Sequence, residues 1–207
     1  RDRSLRERYP GIEIIIGEGV AAGCDPQENF RISGYTKLAQ ELDIQLLDFN
    51  KAGRKKIPWK FGMLDVPCDI LERTYINLPI LKVSGACVIS AALKNQKGLI
   101  LPSEKKHFHR LGLHEQIAEL NVAVRPSLTI LDGSRFFGRN VIISGNNCGE
   151  IDATVCQLLG IDEPEHVQMS RNAQVFLPGF TVLGDRDKVR LKSTRPGARA
   201  VSYTHLR

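Results

Sequence analysis

The sequence lacks both long hydrophobic runs and a signal peptide. Its longest apolar stretches, residues 12–16 and 86–93, fall well short of the roughly 20 residues that a membrane-spanning helix needs. The chain begins with Arg1 and has no leader of basic, apolar and small residues. We therefore predict no membrane segment, and we expect the natural N-terminus to be missing, so the start of the chain does not indicate targeting. The cytoplasmic location that we predict depends instead on the cysteines.

Closely spaced cysteines are also absent. The five cysteines form no C-x-x-C pair and no ladder of short spacings, which is typical of reduced thiols in a reducing compartment. A metal or iron–sulfur site would need ligands that only the fold brings together, so buried structural cysteines are the preferred interpretation. We predict no metal ligand and no iron–sulfur cluster within this segment. The cysteines are Cys24, Cys68, Cys87, Cys148 and Cys156.

Positive charge is not in excess over most of the chain. The formal net charge is +6, but residues 186–207 hold seven Lys or Arg and one Asp, so the rest is neutral. A basic tail without interleaved aromatic residues is weak support for phosphate-backbone binding, and we do not expect a nucleic-acid partner. The string at residues 200–207 looks like translated sequencing-adapter read-through and is expected to be non-native. We predict one truncated domain at residues 1–184 and a basic tail at 185–207.

What the sequence does contain is an alternation of strand and helix patterns. A β-branched run at residues 12–16, helical spacing at 34–42 and a strand pattern at 44–49 predict a strand–helix–strand unit. Residues 113–123 have the clearest amphipathic helix pattern, and residues 128–133 predict a strand ending in Asp and Gly. We therefore predict an α/β fold with a mixed, largely parallel sheet flanked by helices in a single domain. The other predicted elements are a Lys-rich loop at 51–58, a strand at 74–82, a helix or turn-helix at 86–97, a strand at 141–144, helices at 151–159 and 164–173, and an edge strand at 181–183.

A glycine-rich loop follows the first predicted strand. Gly17, Gly19 and Gly23 have some likeness to a phosphate-binding loop, whose backbone N–H groups approach an anion. The third glycine is one residue late, however, and Glu18 would repel phosphate. A plain turn is the preferred interpretation.

Three histidines, His107, His109 and His114, fall within eight positions. In an extended loop they could place two imidazoles on one metal. The flanking lysines and arginine disfavour a cation, so a solvated loop is preferred, with anion binding as the alternative.

Two lysines and one asparagine lie in apolar, small-residue surroundings, where an unpaired buried charge is costly. Either Lys82 and Lys94, with Asn95, have a carboxylate or phosphate partner, or the lysines extend to solvent from helix ends. The carboxylates best placed to pair with them are Asp132, at a strand end, and Asp152, in the first turn of a helix. Alternatively, Asp152 only complements the dipole of that helix.

Five blocks of sequence occur in the order and spacing of a known family. Together they resemble the domain of unknown function 362 family, over about residues 12–184. The blocks are LPILK at 78–82, AALKN-x-x-GLI at 91–100, His109, IAELN at 117–121 and LTILDG at 128–133.

The resemblance implies an α/β domain of bacteria and archaea that is often found beside ferredoxin-like iron–sulfur modules and has no settled activity. Val83-Ser84 replaces an expected Thr-His pair, and residues 134–139 lack an expected acidic residue, so the polar site is expected to be incomplete. The positions that match the family motifs are Lys82, Lys94, Asn95, His109, Asn121, Asp132 and Asp152.

Three functions follow as hypotheses. In the first, an enzyme or redox-associated domain binds a small anionic molecule, with its lysines holding charge and Asp132 acting as acid/base or metal contact. In the second, a noncatalytic module docks an iron–sulfur, ferredoxin-like partner, and any cluster belongs to that missing module. The third, nucleic-acid binding, depends on the basic tail alone. The catalytic candidates are Lys82, Lys94, Asn95 and Asp132, and the ligand-binding candidates are His109, Asn121 and Asp152.

Overall fold

The computed structural model describes residues 7–21, 23–110, 112–137, 141–173, 175 and 183–184, with every side chain among them except those of His107 and His109. Helices and strands are mixed along this part of the chain, as predicted for an α/β fold. The strands are β1 (Ile15–Glu18), β2 (Gln45–Asp48), β3 (Arg54–Trp59), β4 (Gly62–Pro67), β5 (Ile76–Asn77), β6 (Lys82–Ser84), β7 (Val88–Ser90), β8 (Leu128–Asp132) and β9 (Ile142–Gly145). The helices are α1 (Pro26–Ile32), α2 (Tyr35–Leu42), α3 (Cys68–Glu72), α4 (Ala92–Asn95), α5 (Pro102–Arg110), α6 (Leu113–Ala123), α7 (Ser134–Phe137), α8 (Cys148–Leu159) and α9 (Glu165–Asn172), and Gln96–Leu99 is a 3-10 turn.

The strand–helix–strand prediction at the N-terminal end is confirmed. Strands β1 and β2 pair in parallel, and two helices rather than one connect them. The additional helix α1 has a recognisable start, because the Asp25 carboxylate accepts the Gln27 N–H at 2.9 Å and Pro26 occupies the first turn.

The predicted largely parallel sheet is wrong. Within the described residues the strands form four small sheets, in which β3–β4, β6–β7 and β8–β9 are antiparallel and β1–β2 and β5–β8 are parallel. The physical reason is connection length. Parallel neighbours need a crossover of roughly a dozen residues, whereas β3–β4 and β6–β7 are joined by tight turns.

The predicted Lys-rich loop at residues 51–58 is instead strand β3 of a hairpin. Its partner strand β4 buries Leu64 and Val66, and Gly62, the first residue of β4 after the turn, has a φ of +112°. The Arg54 guanidinium ties the hairpin to the body, because it donates to the carbonyls of Phe49, Asp65 and Leu99 at 2.7 Å each. Lysines on the exposed positions conceal this strand in the sequence, since edge strands carry such charges.

Two other predictions around the centre of the chain are only partly right. The strand predicted at residues 74–82 is reduced to the two-residue β5 before Pro79, and the helix predicted at 86–97 is β7 followed by the short α4. The predicted edge strand at 181–183 and the tail at 185–207 fall almost wholly outside the described residues.

The core lies where helices α6, α8 and α9 pack around α4. Helix α6 has the predicted bounds. Helix α8 begins before its predicted start, since the Asn147 side chain accepts the N–H groups of Gly149 and Glu150, and it ends at Gly160 with a φ of +63°. Among the described helices, none is both long and apolar enough to cross a bilayer.

Candidate metal centre and the polar network beside it

Asp152 anchors the short central helix α4. Its side chain is fully buried and projects from α8 to accept the Ala92 N–H at 2.7 Å and the Leu93 N–H at 3.2 Å. The N-cap residue Ala91 offers no capping side chain, so Asp152 supplies the cap from another helix. Burial raises the pKa of Asp152 to about 7, although the two amide hydrogen bonds lower it. The alternative that Asp152 only complements the dipole of its own helix is therefore wrong.

Asn121, a predicted ligand-binding residue, is a buried bracket between α6 and α4. Its amide nitrogen donates to the carbonyls of Leu93 at 3.0 Å and Ile117 at 2.9 Å. Its amide oxygen accepts from Gln96 Nε2 at 3.1 Å. All these bonds are internal, so Asn121 supports the position of α4.

Asn95, a predicted catalytic residue, belongs to the same network. Its side chain donates to Asn77 Oδ1 at 2.7 Å, and Asn77 Nδ2 in turn donates to the Ala92 carbonyl at 3.1 Å. Asn77 Nδ2 also lies 3.6 Å from Cys148 Sγ. Burial raises the pKa of the Cys148 thiol to about 11, so the thiol stays protonated and inert at neutral pH.

Lys82 and Asp132 lie on neighbouring chain segments but do not pair. The backbone oxygen of Asp132 accepts the Leu81 N–H at 2.9 Å, while no hydrogen bond or ion pair joins the Lys82 side chain to Asp132 in the described structure. Asp132 Oδ1 accepts the Ser134 N–H at 2.8 Å, and hydrogen bonds from Ser134 lower the pKa of Asp132. Asp132 thus forms the turn after β8, and Lys82 is exposed.

Lys94 lies half-buried on α4, and its protein partner is a hydroxyl, not one of the predicted carboxylates Asp132 and Asp152. Its Nζ donates to Ser84 Oγ at 2.5 Å. His109 lies in helix α5, so the loop predicted around it is wrong, and its side chain is outside what the structure describes.

The glycine loop after β1 agrees with the plain-turn interpretation. A Cβ on Gly19 would lie 1.7 Å from the Gly98 carbonyl oxygen, so this glycine permits close approach of two chain segments. The carbonyls of Gly19 and Val20 accept from Lys105 Nζ at 3.1 Å each. The loop thus presents carbonyls to a cation, whereas a phosphate loop presents N–H groups to an anion.

A second buried cluster unites Cys87, His114 and His166. Cys87 lies in the turn between β6 and β7, and each histidine is the second residue of its helix, α6 or α9. Packing of α9 on α6 brings the two imidazoles together, with ring centroids 5.9 Å apart. One potential ligand atom from each of the three residues lies within 4.8 Å of the other two. Sequence reasoning grouped His114 with His107 and His109 and missed Cys87 and His166, because no local spacing connects them.

The polar atoms of this cluster are poorly satisfied. Both ring nitrogens of His166 and Nδ1 of His114 are buried without a hydrogen-bond partner in the described residues. The nearest acids are at longer range: Asp152 Oδ2 is 3.9 Å from His166 Nε2, and Glu165 Oε2 is 3.6 Å from His114 Nε2. Burial, together with the nearby positive charges of His114 and Lys94, lowers the pKa of His166 to about 4. His166 is therefore neutral at pH 7, as a metal-binding imidazole must be.

Fold and site define a mixed α/β domain with a buried Cys–His cluster next to a capped short helix. The chain belongs to the family described as Domain of unknown function (DUF362), whose sequence profile matches residues 3–158. The match includes Cys87, His114 and Asp152 and ends before His166. No curated protein and no solved structure matches the chain significantly.

Proposed function

We propose that this protein is a metal-dependent domain whose metal ion is bound by Cys87, His114 and His166. Two observations support this proposal. One potential ligand atom from each of the three residues converges on the same place, and three nitrogens of the two imidazoles lack hydrogen bonds in the described residues. Buried polar groups in folded proteins are nearly always paired, and an unpaired one costs about 1–3 kcal/mol. A bound cation would satisfy one nitrogen of each imidazole together with the Cys87 sulfur.

The donor set indicates the class of metal. One thiolate and two neutral imidazoles are ligands for zinc and related transition metals, whereas magnesium and calcium prefer oxygen. Tetrahedral bonds of about 2.0 Å to nitrogen and about 2.3 Å to sulfur separate the ligand atoms of this donor set by about 3.3–3.5 Å. Because the three potential ligand atoms lie up to 4.8 Å apart, they must move about 1 Å closer together to bind one ion, and small side-chain rotations allow this movement.

The surrounding acids are placed as second partners of the histidines. Metal-binding histidines usually donate their other ring N–H to a carboxylate, and Asp152 and Glu165 lie beside Nε2 of His166 and His114, respectively. Both oxygens of Asp152 already accept from α4, so Asp152 orients His166 and is not counted as a ligand. Three protein ligands leave one tetrahedral position open, as in catalytic zinc sites, where the ion acts as a Lewis acid or activates water.

Metal analysis of the full chain tests the proposal directly. After reconstitution with Zn²⁺ or Co²⁺, we expect one ion per chain and, with Co²⁺, a visible spectrum containing a thiolate-to-cobalt band. The variants Cys87→Ser and His166→Gln should bind metal at least about 100-fold more weakly. Cys156→Ala is the matched control, because Cys156 is equally buried but stands outside the cluster.

Two results would overturn the proposal. One is absence of stoichiometric metal from the folded chain under both conditions. The other is metal binding that Cys87→Ser and His166→Gln leave unchanged.

Docking of an iron–sulfur partner is a second candidate, favoured by an apolar sheet face. Ile80 and Ile142 both lie opposite Asp132 in register, so they flank it on one face of the β5–β8–β9 sheet, and they are 46% and 56% exposed. Ile76, on the same sheet, is 40% exposed. Such patches often mark interaction sites.

A titration with a purified ferredoxin-type protein separates this candidate from the first. If the face docks such a partner, Ile80→Asp and Ile142→Asp should weaken binding about tenfold or more, while Ile161→Asp, at an exposed position outside this sheet, should not. Equal binding by all three variants, or no binding by the unaltered chain, would exclude the docking role.

A further inference from the structure

A cavity apart from the Cys–His cluster lies where the end of α6 meets the start of α8. Its volume is about 230 Å³, below the roughly 300–1,000 Å³ of pockets for drug-sized ligands, so it fits a small molecule. His114 is at the start of α6, and Asn121 follows it by seven residues, or about 10 Å along the helix axis. The lining of the cavity includes Asn121, Arg125, Asn146, Cys148, Glu150 and Val175.

Buried polar residues form the floor of this cavity. Asn121 and Cys148 are buried there, and Gln96 Nε2 behind them donates to Asn121 Oδ1 at 3.1 Å and lies 3.9 Å from Cys148 Sγ. At the rim, the side chain of Asn147 caps α8 and donates from Nδ2 to the Val175 carbonyl. Because the floor and rim are held by hydrogen bonds, the cavity is preformed, and its polar lining favours a polar ligand.

Two opposite charges line the cavity at fixed backbone positions. Arg125 is exposed and is followed by the buried Pro126, and Glu150 is half-buried in the first turn of α8. Neither side chain has a hydrogen bond or ion pair with the part of the chain that the structure describes, so the two do not pair with each other. Burial raises the pKa of the Glu150 carboxyl, and no neighbouring cation offsets this effect.

This combination of charges selects the class of ligand. A simple anion would be attracted by Arg125 but repelled by Glu150, and a simple cation would meet the reverse. A molecule with one anionic and one cationic group satisfies both side chains, because a guanidinium binds a carboxylate through two hydrogen bonds and a carboxylate accepts from an ammonium group. A small molecule of this kind is a free amino acid with a small or polar side chain.

We propose that the cavity binds a free amino acid, with Arg125 holding its α-carboxylate and Glu150 holding its α-ammonium group. This site is additional to the metal centre proposed above and does not depend on it. Asn121, one of the ligand-binding candidates from the sequence, lies in the lining of the cavity.

Titrations of the full chain with glycine, L-serine and L-asparagine, followed by NMR chemical shifts, test the proposal. We expect saturable shifts of the backbone amides of residues 146–150 with at least one of them, both with a chelator and with Zn²⁺ present. Two analogues of the amino acid that binds best carry a single charge: its amide lacks the carboxylate, and its 2-hydroxy acid lacks the ammonium group. Each should bind about tenfold or more weakly than the amino acid.

Two charge-removing variants assign the two ends of the ligand. In Arg125→Gln the affinity for the amino acid should fall about tenfold or more, while that for the amide changes little. In Glu150→Gln the affinity for the amino acid should fall similarly, while that for the 2-hydroxy acid does not fall. Arg135→Gln and Glu72→Gln, at exposed positions outside the lining, are the matched controls.

The proposal is wrong if none of the three amino acids gives saturable shifts, or if the single-charge analogues bind as tightly as the amino acid. It is also wrong if Arg125→Gln and Glu150→Gln respond like their controls. Each of these results leaves the metal centre standing, because the titrations are made with and without Zn²⁺. Failure of the chain to bind Zn²⁺ would in turn leave the amino acid site standing. Circular dichroism of each variant shows whether a loss of affinity comes from unfolding.

Discussion

Two buried polar groups lie near the short helix α4, and they differ in how their hydrogen bonds are satisfied. In the network of Asn77, Asn121 and Asp152, polar side chains pair with one another and with the backbone of α4. In the cluster of Cys87, His114 and His166, three imidazole nitrogens are buried without such partners among the described residues. A satisfied network stabilises the fold, whereas an unsatisfied cluster is costly and points to a ligand. Burial of polar residues alone does not identify a site.

The largest expected effect is the loss of the buried cap on α4. Asp152→Ala leaves two buried N–H groups without an acceptor, so we expect the free energy of unfolding to fall by about 3 kcal/mol. Asp152→Asn retains one acceptor and should lose about half as much. Urea denaturation measures both, with the exposed Asp162→Ala as control. A loss below about 1 kcal/mol for Asp152→Ala would show that the network is not a scaffold.

A smaller loss is expected at the bracket between α6 and α4. Asn121→Ala removes the donor to the Leu93 carbonyl and the acceptor for Gln96, which should cost about 2 kcal/mol of stability. Metal affinity should change little, because Asn121 contacts no proposed ligand. Thermal unfolding and a Co²⁺ titration check the two parts, and Asn146→Ala, at an exposed asparagine, serves as the neutral comparison. A large loss of metal affinity without loss of stability would move Asn121 from the scaffold to the site.

In the cluster of Cys87, His114 and His166, we expect substitution of a histidine to raise the free energy of unfolding of the metal-free protein. His166→Leu replaces a buried imidazole, which has no hydrogen bond to the part of the chain that the structure describes, by an apolar side chain. The metal-free protein should therefore gain up to about 1 kcal/mol of stability while metal binding is lost. His114→Leu should gain less, because its side chain is 23% exposed. Denaturation in the presence of a chelator measures the gain. If His166→Leu is destabilised in metal-free form, the imidazole has a structural role and the contrast between the two groups fails.

The smallest expected effect is at Lys97 and depends on pH. The folded state lowers the pKa of Lys97 from 10.5 to about 8, so folding disfavours its charged form. This penalty is complete below about pH 8 and disappears as the pH rises past 10.5. Lys97→Met should therefore be more stable than the unaltered chain by less than about 1 kcal/mol at pH 7, after allowance for screening by solvent.

The difference between Lys97→Met and the unaltered chain is the quantity to follow, because titration of other groups cancels in it. Chemical denaturation at pH 7 and pH 10 should show the gain shrinking. A gain that is constant with pH, or a loss at pH 7, would mean that the stacking of Lys97 on Phe108 outweighs its desolvation.

Local patterns account for the parts of the fold that the sequence predicted correctly. Helix α6 has the predicted bounds and strand β8 ends one residue before its predicted end, since their apolar patterns are strong and their ends carry clear signals. Strand β3 was missed because its exposed lysines resemble a loop. The parallel sheet was wrongly expected, because periodicity predicts strands but does not choose their partners.

The residues of the candidate site were also predicted only in part. Asn121, Asp152 and Lys94 were singled out by resemblance to a family, and the structure places all three around α4. Their roles were not predictable, because Asp152 caps a helix remote in sequence from its own. Cys87 and His166 carried no local signal.

By itself, the sequence determined the family, the absence of a membrane-spanning helix in the described part, and four of the residues around α4, namely Lys94, Asn95, Asn121 and Asp152. Only the tertiary structure decided the antiparallel pairings, the separation of Lys82 and Asp132 from the site, and the meeting of Cys87 with His114 and His166. The reason is that composition and periodicity act over one or two turns of chain. A ligand cluster depends on the packing of α6, α9 and the β6–β7 turn, which is set by contacts between segments distant in sequence.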